Sequence, residues 1–288
     1  MVETRYQMTR CHFISQTLCI SNTRQRQTSP NQLGEFVNPM GLTKPYPNLP
    51  EVHVWAVWLA ASPTVIRTYR SLLLPEEKAR AERFIFDRLR QSYELSQGAL
   101  RLLLARYLEC PAREVTFTFG PRGKPALCGE SRLRFNKSHS SWLAVYAFTT
   151  DCEIGVDVEE VREIPDTDQI ASRYFCHAEA SELSSLGCQR AREEAFFRCW
   201  TRKEAYIKAV GDGLHMPLDQ FQVTLLREDP ARFVHIGNDE RIASDWMLQH
   251  IEPVLGYVGA VAYRAKQRAI RFQGAVDCNE LLEATPRP

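Results

Sequence analysis

The chain passes twice through one succession of patterns, an apolar strand, a long helix with one apolar face and a set of short strands, and this recurrence restricts the fold more than any other feature. In the first pass Val52 to Leu59 is rich in Val, Trp and Leu and reads as a strand. Pro75, Glu76 and Glu77 open a helix, because Pro is tolerated in the first turn and carboxylates suit its positive end. A longer helix is predicted from about Arg88 to Leu108. Its Leu89, Tyr93, Leu100, Leu103, Leu104 and Tyr107 recur at steps of three and four, so one face packs on a core. Val115 to Phe119 alternates, Pro121 to Gly123 is a turn, and Trp142 to Phe148 is a strand. In the second pass Cys152 to Val158 is a strand, Pro165 sits in a turn, and Arg190 to Ala209 is a helix ended by Gly211 and Gly213. Strand-like segments follow at Phe221 to Leu226, Trp246 to His250 and Tyr257 to Tyr263. The expected class is α+β, with units over 51–150 and 151–264. No residue-level repeat accompanies them.

Outside these units, residues 1–50 are polar, carry Arg5, Arg10, Arg24 and Arg26 against a single early acid, Glu3, and close on Pro45, Pro47 and Pro50. They read as a disordered extension. An organellar transit peptide and sequence upstream of a start at Met40 both fit, and we favour the second. Residues 265–288 are polar and are expected to form a loose tail. The balance of 36 Lys+Arg against 35 Asp+Glu argues against a dedicated nucleic-acid binder, so basic sites must be local. The apolar stretch Trp55 to Ala61 is far shorter than the roughly 18–20 residues that span a bilayer, and no membrane association is expected. Nine cysteines without Cys-x-x-Cys spacing read as reduced structural thiols of an intracellular, cytoplasmic protein, with organellar targeting by residues 1–40 left open.

Three carboxylates suggest chemistry. Asp157 and Glu159, in Gly155-Val156-Asp157-Val158-Glu159, are two apart on a strand and share a face, while Val156 and Val158 turn to the core. Side-by-side carboxylates repel unless a cation lies between them, and hard oxygen ligands suit Mg²⁺. An exposed strand end with two solvated acids is the plainer alternative. In Trp200-Thr201-Arg202-Lys203-Glu204-Ala205-Tyr206-Ile207-Lys208, Trp200, Glu204 and Lys208 share a helix face. There the alternative is an ordinary surface Glu–Lys pair.

Taken in order, Gly123-Lys124-Pro125-Ala126-Leu127, Phe135-Asn136-Lys137-Ser138-His139-Ser140, the acidic strand and the Trp200–Lys208 helix closely resemble the Sfp-type 4′-phosphopantetheinyl transferases over about Val52 to Tyr263. The resemblance implies a pseudodimer of two similar subdomains in one monomer, each a small, mainly antiparallel sheet with a long helix, and coenzyme A and Mg²⁺ (Mn²⁺ as an alternative) in the cleft between them. It implies transfer of 4′-phosphopantetheine from coenzyme A to a serine of an apo acyl- or peptidyl-carrier protein, with release of 3′,5′-ADP. By motif, Asp157, Glu159 and Glu204 correspond to the metal-binding acids and Lys208 to the lysine near the pyrophosphate. Glu179, in Arg173-Tyr174-Phe175-Cys176-His177-Ala178-Glu179, falls where the family places a glutamate proposed as general base. Ser138 and His139 match contacts to the 3′-phosphate of coenzyme A, with Lys124 nearby. Arg88 corresponds to a basic position that meets this phosphate in some relatives. Lys203 either adds charge stabilisation or is solvated.

Two departures weaken the amino-half phosphate contacts. Leu89 stands where many relatives carry an acid, and Gln97 replaces a frequent arginine. The rival from another class is a coenzyme A or nucleotide-binding module without turnover, against which the retained acids and Lys208 argue. A different Mg²⁺-dependent phosphoryl enzyme lacks support, since no Walker-type loop is present.

Overall fold

The computed structural model describes residues 50–213, 216–237 and 240–284. The expected extension and the start at Met40 therefore lie outside the described residues, Pro50 excepted.

Strand β1 (Val52–Trp58) leads through helices α1 (Pro63–Leu72) and α2 (Pro75–Ala81) into α3 (Asp87–Leu108). Short strands β2 (Phe117–Phe119) and β3 (Pro125–Leu127) pair with each other, and β4 (Leu133–Ser140) and β5 (Leu143–Thr150) follow. The second pass is β6 (Ile154–Glu160), α4 (Thr167–Tyr174), α5 (His177–Ser184) and α6 (Gln189–Val210). Then come the β7 (Phe221–Val223) and β8 (Phe233–Ile236) pair, α7 (Glu240–Ser244), β9 (Met247–Ile251) and β10 (Tyr257–Tyr263). Helices α3 and α6 lie within a residue or so of their predicted spans. Each ends on a left-handed residue, Glu109 and Gly211.

The two sheets repeat one spatial order. Strands run β1-β5-β4 in the first and β6-β10-β9 in the second, all antiparallel. Period-two alternation divides each sheet into two apolar faces. Trp55, Val57, Tyr146 and Phe148 pack on Leu95, Ala99 and Leu103 of α3, while Val54, Ala56, Val145 and Ala147 on the other face meet Ile154, Val156, Val158 and Val261. The far face of the second sheet sends Val258, Ala260 and Ala262 against Phe196, Trp200 and Ile207 of α6. The result is a helix–sheet–sheet–helix stack, the α+β architecture of small mainly antiparallel sheets that the sequence implied.

One expectation fails. Within the supposed tail, β11 (Ile270–Asp277) pairs parallel with β1 and α8 (Cys278–Glu283) follows it, capped by the Asp277 side chain. The segment reads as polar because β11 is an edge strand and only partly covered.

Candidate active site

Strand β6 turns Val156 and Val158 to the inter-sheet core, so Gly155, Asp157 and Glu159 face α6. Gly155 permits that approach. A Cβ there would stand 2.1 Å from the Ala205 carbonyl oxygen and 2.3 Å from the Ala209 nitrogen, so the helix backbone rests directly on the strand. That contact brings Glu204 and Lys208, four residues apart on α6, over Asp157.

The amino-terminal half contributes through β4. Its residues divide by parity: Phe135 and Lys137 face α3, whereas Asn136, Ser138 and Ser140 reach β6. The Asn136 amide oxygen accepts from Val156 N at 3.0 Å, and Ser140 Oγ accepts from Glu160 N at 3.2 Å, capping backbone donors on the open edge of β6. Ser138 Oγ donates to Asp157 Oδ1 at 2.7 Å and Ser140 Oγ to Glu159 Oε2 at 2.6 Å. Lys208 Nζ lies 2.6 Å from the same Asp157 Oδ1 and 2.8 Å from Ser138 Oγ. Arg162, 3.4 Å from Glu159 Oε2, closes the far end.

Electrostatically the cluster holds more negative than positive charge. Burial, then the charge of Asp157, pushes the Glu159 carboxyl up to about 7, against the pull of Arg162, Ser140 and Lys208. Burial and Asp157 likewise raise Glu204 to about 7. Burial works against the Lys208 ammonium, but Asp157 and Glu204 outweigh it and hold its pKa above the usual lysine value. Two features suit a divalent cation. Asp157 Oδ2 is buried without a hydrogen-bond partner, and among the described residues no hydrogen bond holds the Glu204 carboxylate. As arranged, the acids are not closed on a common point: no group of His, Cys, Asp or Glu among the described residues has metal-holding geometry. The donor set fits a hard cation, while Lys208 sits on one of its oxygens.

The other predicted residues lie elsewhere. Glu179 is 0% exposed. Its Oε2 is 2.8 Å from Lys203 Nζ and accepts from Cys176 N at 3.0 Å, and Oε1 accepts from Val223 N at 2.8 Å. Lys203, also fully buried, donates to the carbonyls of Leu218 and Phe221, so it is neither solvated nor among the acids. Lys124 Nζ is held by Glu153 Oε2 at 2.7 Å and the Ala209 carbonyl at 2.6 Å. His139 is exposed and, as the neighbour of Ser138 on a strand, faces the opposite way, toward the α3 side. Arg88 is exposed there too, its guanidinium 4.6 Å from the Trp142 ring centroid. Sequence reasoning missed Ser140 and Arg162. A signal for Ser140 was available, since Ser138 and Ser140 match Asp157 and Glu159 in their spacing of two.

The model of the 4′-phosphopantetheinyl transferase superfamily matches residues 153–262, and that of the 4′-phosphopantetheinyl transferase N-terminal region matches residues 57–151. The 4′-phosphopantetheinyl transferase HetI of Nostoc sp. is 36% identical over 228 residues, 77% of this chain and 92% of that protein. The chain belongs to the Sfp-type 4′-phosphopantetheinyl transferase family. Sfp of Bacillus subtilis is 29% identical over 157 residues, 54% of this chain and 68% of its own. The human L-aminoadipate-semialdehyde dehydrogenase-phosphopantetheinyl transferase is 29% identical over 178 residues, 58% of this chain and 57% of its own. The protein is thus a transferase of phosphopantetheinyl groups. Among the described residues no helix is long and apolar enough to cross a membrane, and the seven described cysteines are free thiols.

Proposed function

We propose that this phosphopantetheinyl transferase moves the 4′-phosphopantetheine arm of coenzyme A onto a serine of an apo acyl- or peptidyl-carrier protein, releasing 3′,5′-ADP, with Mg²⁺ as the required cation and Mn²⁺ as a substitute. The observation that carries this reading is the convergence of Asp157 and Glu159 from β6 with Glu204 from α6, one oxygen of Asp157 being left unpartnered.

Asp157, Glu159 and Glu204 would hold the cation. Bound there, it would neutralise the pyrophosphate of coenzyme A and stabilise the departing nucleotide. Ser138 and Ser140 orient the two strand acids by donating to one oxygen of each. Lys208, held on Asp157, would offer its ammonium to a phosphate oxygen of the substrate. Glu179 has no exposed surface and both oxygens engaged, so we assign it to holding α5, Lys203 and β7 together rather than to proton transfer. Glu204, without a hydrogen bond, is the acid available to an incoming serine hydroxyl. The two similar halves are read as subdomains of a single monomer.

The test incubates the protein with an apo carrier, coenzyme A and Mg²⁺ and follows the carrier by mass spectrometry. A gain of one phosphopantetheine group is expected, and it should disappear in excess EDTA. Absence of gain across fatty-acid, polyketide and nonribosomal-peptide carriers would leave a coenzyme A-binding module instead.

A further inference from the structure

Along α2 and α3, acids and bases are unevenly matched. Glu77 is taken by Arg101, Glu82 and Glu94 share Arg70, and Asp87 pairs with Arg90. Among the described residues Arg80, Arg88 and Lys137 have no carboxylate partner, and their contacts are neutral. Arg80 lies 5.6 Å from the Tyr93 ring centroid, Arg88 stacks on Trp142, and Lys137 Nζ is 2.6 Å from Gln97 Oε1 and 5.7 Å from the Tyr93 ring. Gln97 has its orientation fixed, because its Nε2 donates to Glu77 Oε1 at 2.8 Å and leaves the carbonyl for Lys137. An ammonium has three donors, and Lys137 uses one of them here. Its side chain shares a strand face with His139. Burial and then the nearby Arg80 lower its pKa to about 7 against the pull of Glu77, whose carboxylate is already engaged by Arg101 and Gln97. Lys124, the ammonium suggested by resemblance, is already spent on Glu153 and the Ala209 carbonyl.

We infer that Lys137, rather than Lys124, is the ammonium that recognises the 3′-phosphate monoester of the substrate, with Arg80 and Arg88 as the flanking cations. The inference rests on the coenzyme A reading above and adds to it a residue that determines specificity. A dianionic phosphate supplies the direct anionic partner that Lys137 lacks, and a lysine set by a neutral amide gives up no ion pair to bind it. Gln97 and Glu77 act as positioning residues, since they touch Lys137 or its amide partner and not the ligand.

The test is calorimetric binding of coenzyme A and of 3′-dephospho-coenzyme A to the full chain. Wild type is expected to prefer coenzyme A by at least about tenfold. Lys137→Met should erase most of that preference by weakening coenzyme A alone, and Lys137→Arg should restore part of it, whereas Lys124→Met should keep the ratio. Preference kept in Lys137→Met, or lost in Lys124→Met instead, overturns the assignment. Wild type that binds both ligands equally overturns the phosphate site but leaves the coenzyme A reading standing; wild type that binds neither overturns that reading itself. A second measurement needs no variant. In lysine-selective NMR the Lys137 signal should move with adenosine 3′,5′-bisphosphate and stay with adenosine 5′-monophosphate, and equal movement with both counts against the assignment.

Discussion

The two halves build the same junction between helix and sheet and fill it with opposite materials. Trp55 and Val57 hold the fourth and sixth places of β1, as Asp157 and Glu159 do in β6. On the long helices Leu102 stands where Glu204 does, and Arg106 where Lys208 does. Accordingly Arg106 lies 5.3 Å from the Trp55 ring in one half, and Lys208 pairs with Asp157 in the other. The supports beneath are alike. Glu77 and Glu179 each cap the backbone at the start of a short helix and pair with a buried cation, Arg101 or Lys203, at the same place on the long helix. A fold that is stable with hydrocarbon at this junction has no structural need for three acids. Their crowding in the second half is a cost to stability that points to chemistry.

The comparison is broken or sharpened most strongly by Asp157→Ala against Trp55→Ala. The first should cut carrier modification by at least about a thousandfold while the thermal midpoint holds or rises. The second should lose about 3–5 kcal/mol in denaturant unfolding yet keep its turnover per folded molecule. If both lose stability and activity alike, the halves do not divide labour. Next, Glu77→Gln and Glu179→Gln each leave a buried cation unpaired and should cost about 3–5 kcal/mol. Unchanged kcat per folded molecule in Glu179→Gln confirms scaffolding, whereas a kcat loss at full stability would restore it to proton transfer. Smaller is Gly155→Ala, which lifts α6 from β6; about 1–3 kcal/mol of stability should go, with a fall in turnover that Mg²⁺ does not rescue.

The smallest effect is in pH. Glu159 and Glu204 titrate near 7 folded and near 4.5 unfolded, so their contribution to stability is full below about 4.5 and declines as pH rises to about 7. His53 in β1, lowered to about 4 by burial and the charge of Arg271, works the other way: its contribution is present above 6.5 and lost as pH falls. Thermal midpoints from pH 5 to 8 in EDTA should therefore gain on the alkaline side in Glu159→Gln, and Mg²⁺ should produce a similar gain in wild type. No difference between the EDTA and Mg²⁺ curves would detach the acids from the metal.

Much of this was legible because periodicity reports faces. Alternation put Asp157 and Glu159 together, and a step of four added Lys208 to Glu204. What periodicity does not report is which partner a face meets. Ser138 and His139 are neighbours in one motif, and only the position of β4 between α3 and β6 gives their two faces different surroundings. Glu179 reads ambiguously for a related reason: a glutamate in the first turn of a helix looks the same in sequence whether it caps a backbone or meets substrate. Lys137 drew no notice because its setting depends on Gln97, forty residues earlier in the chain.

The parallel partnership of β11 with β1 has a consequence for how the protein is made. During synthesis the first half emerges with one border of its sheet bare, and the strand that covers it is released only after all the strands of the second sheet. The half that is written first is thus completed after the second. A nascent chain stalled before Ile270 would display β1 as a template for stray pairing, so termination at that point should produce aggregates rather than active protein.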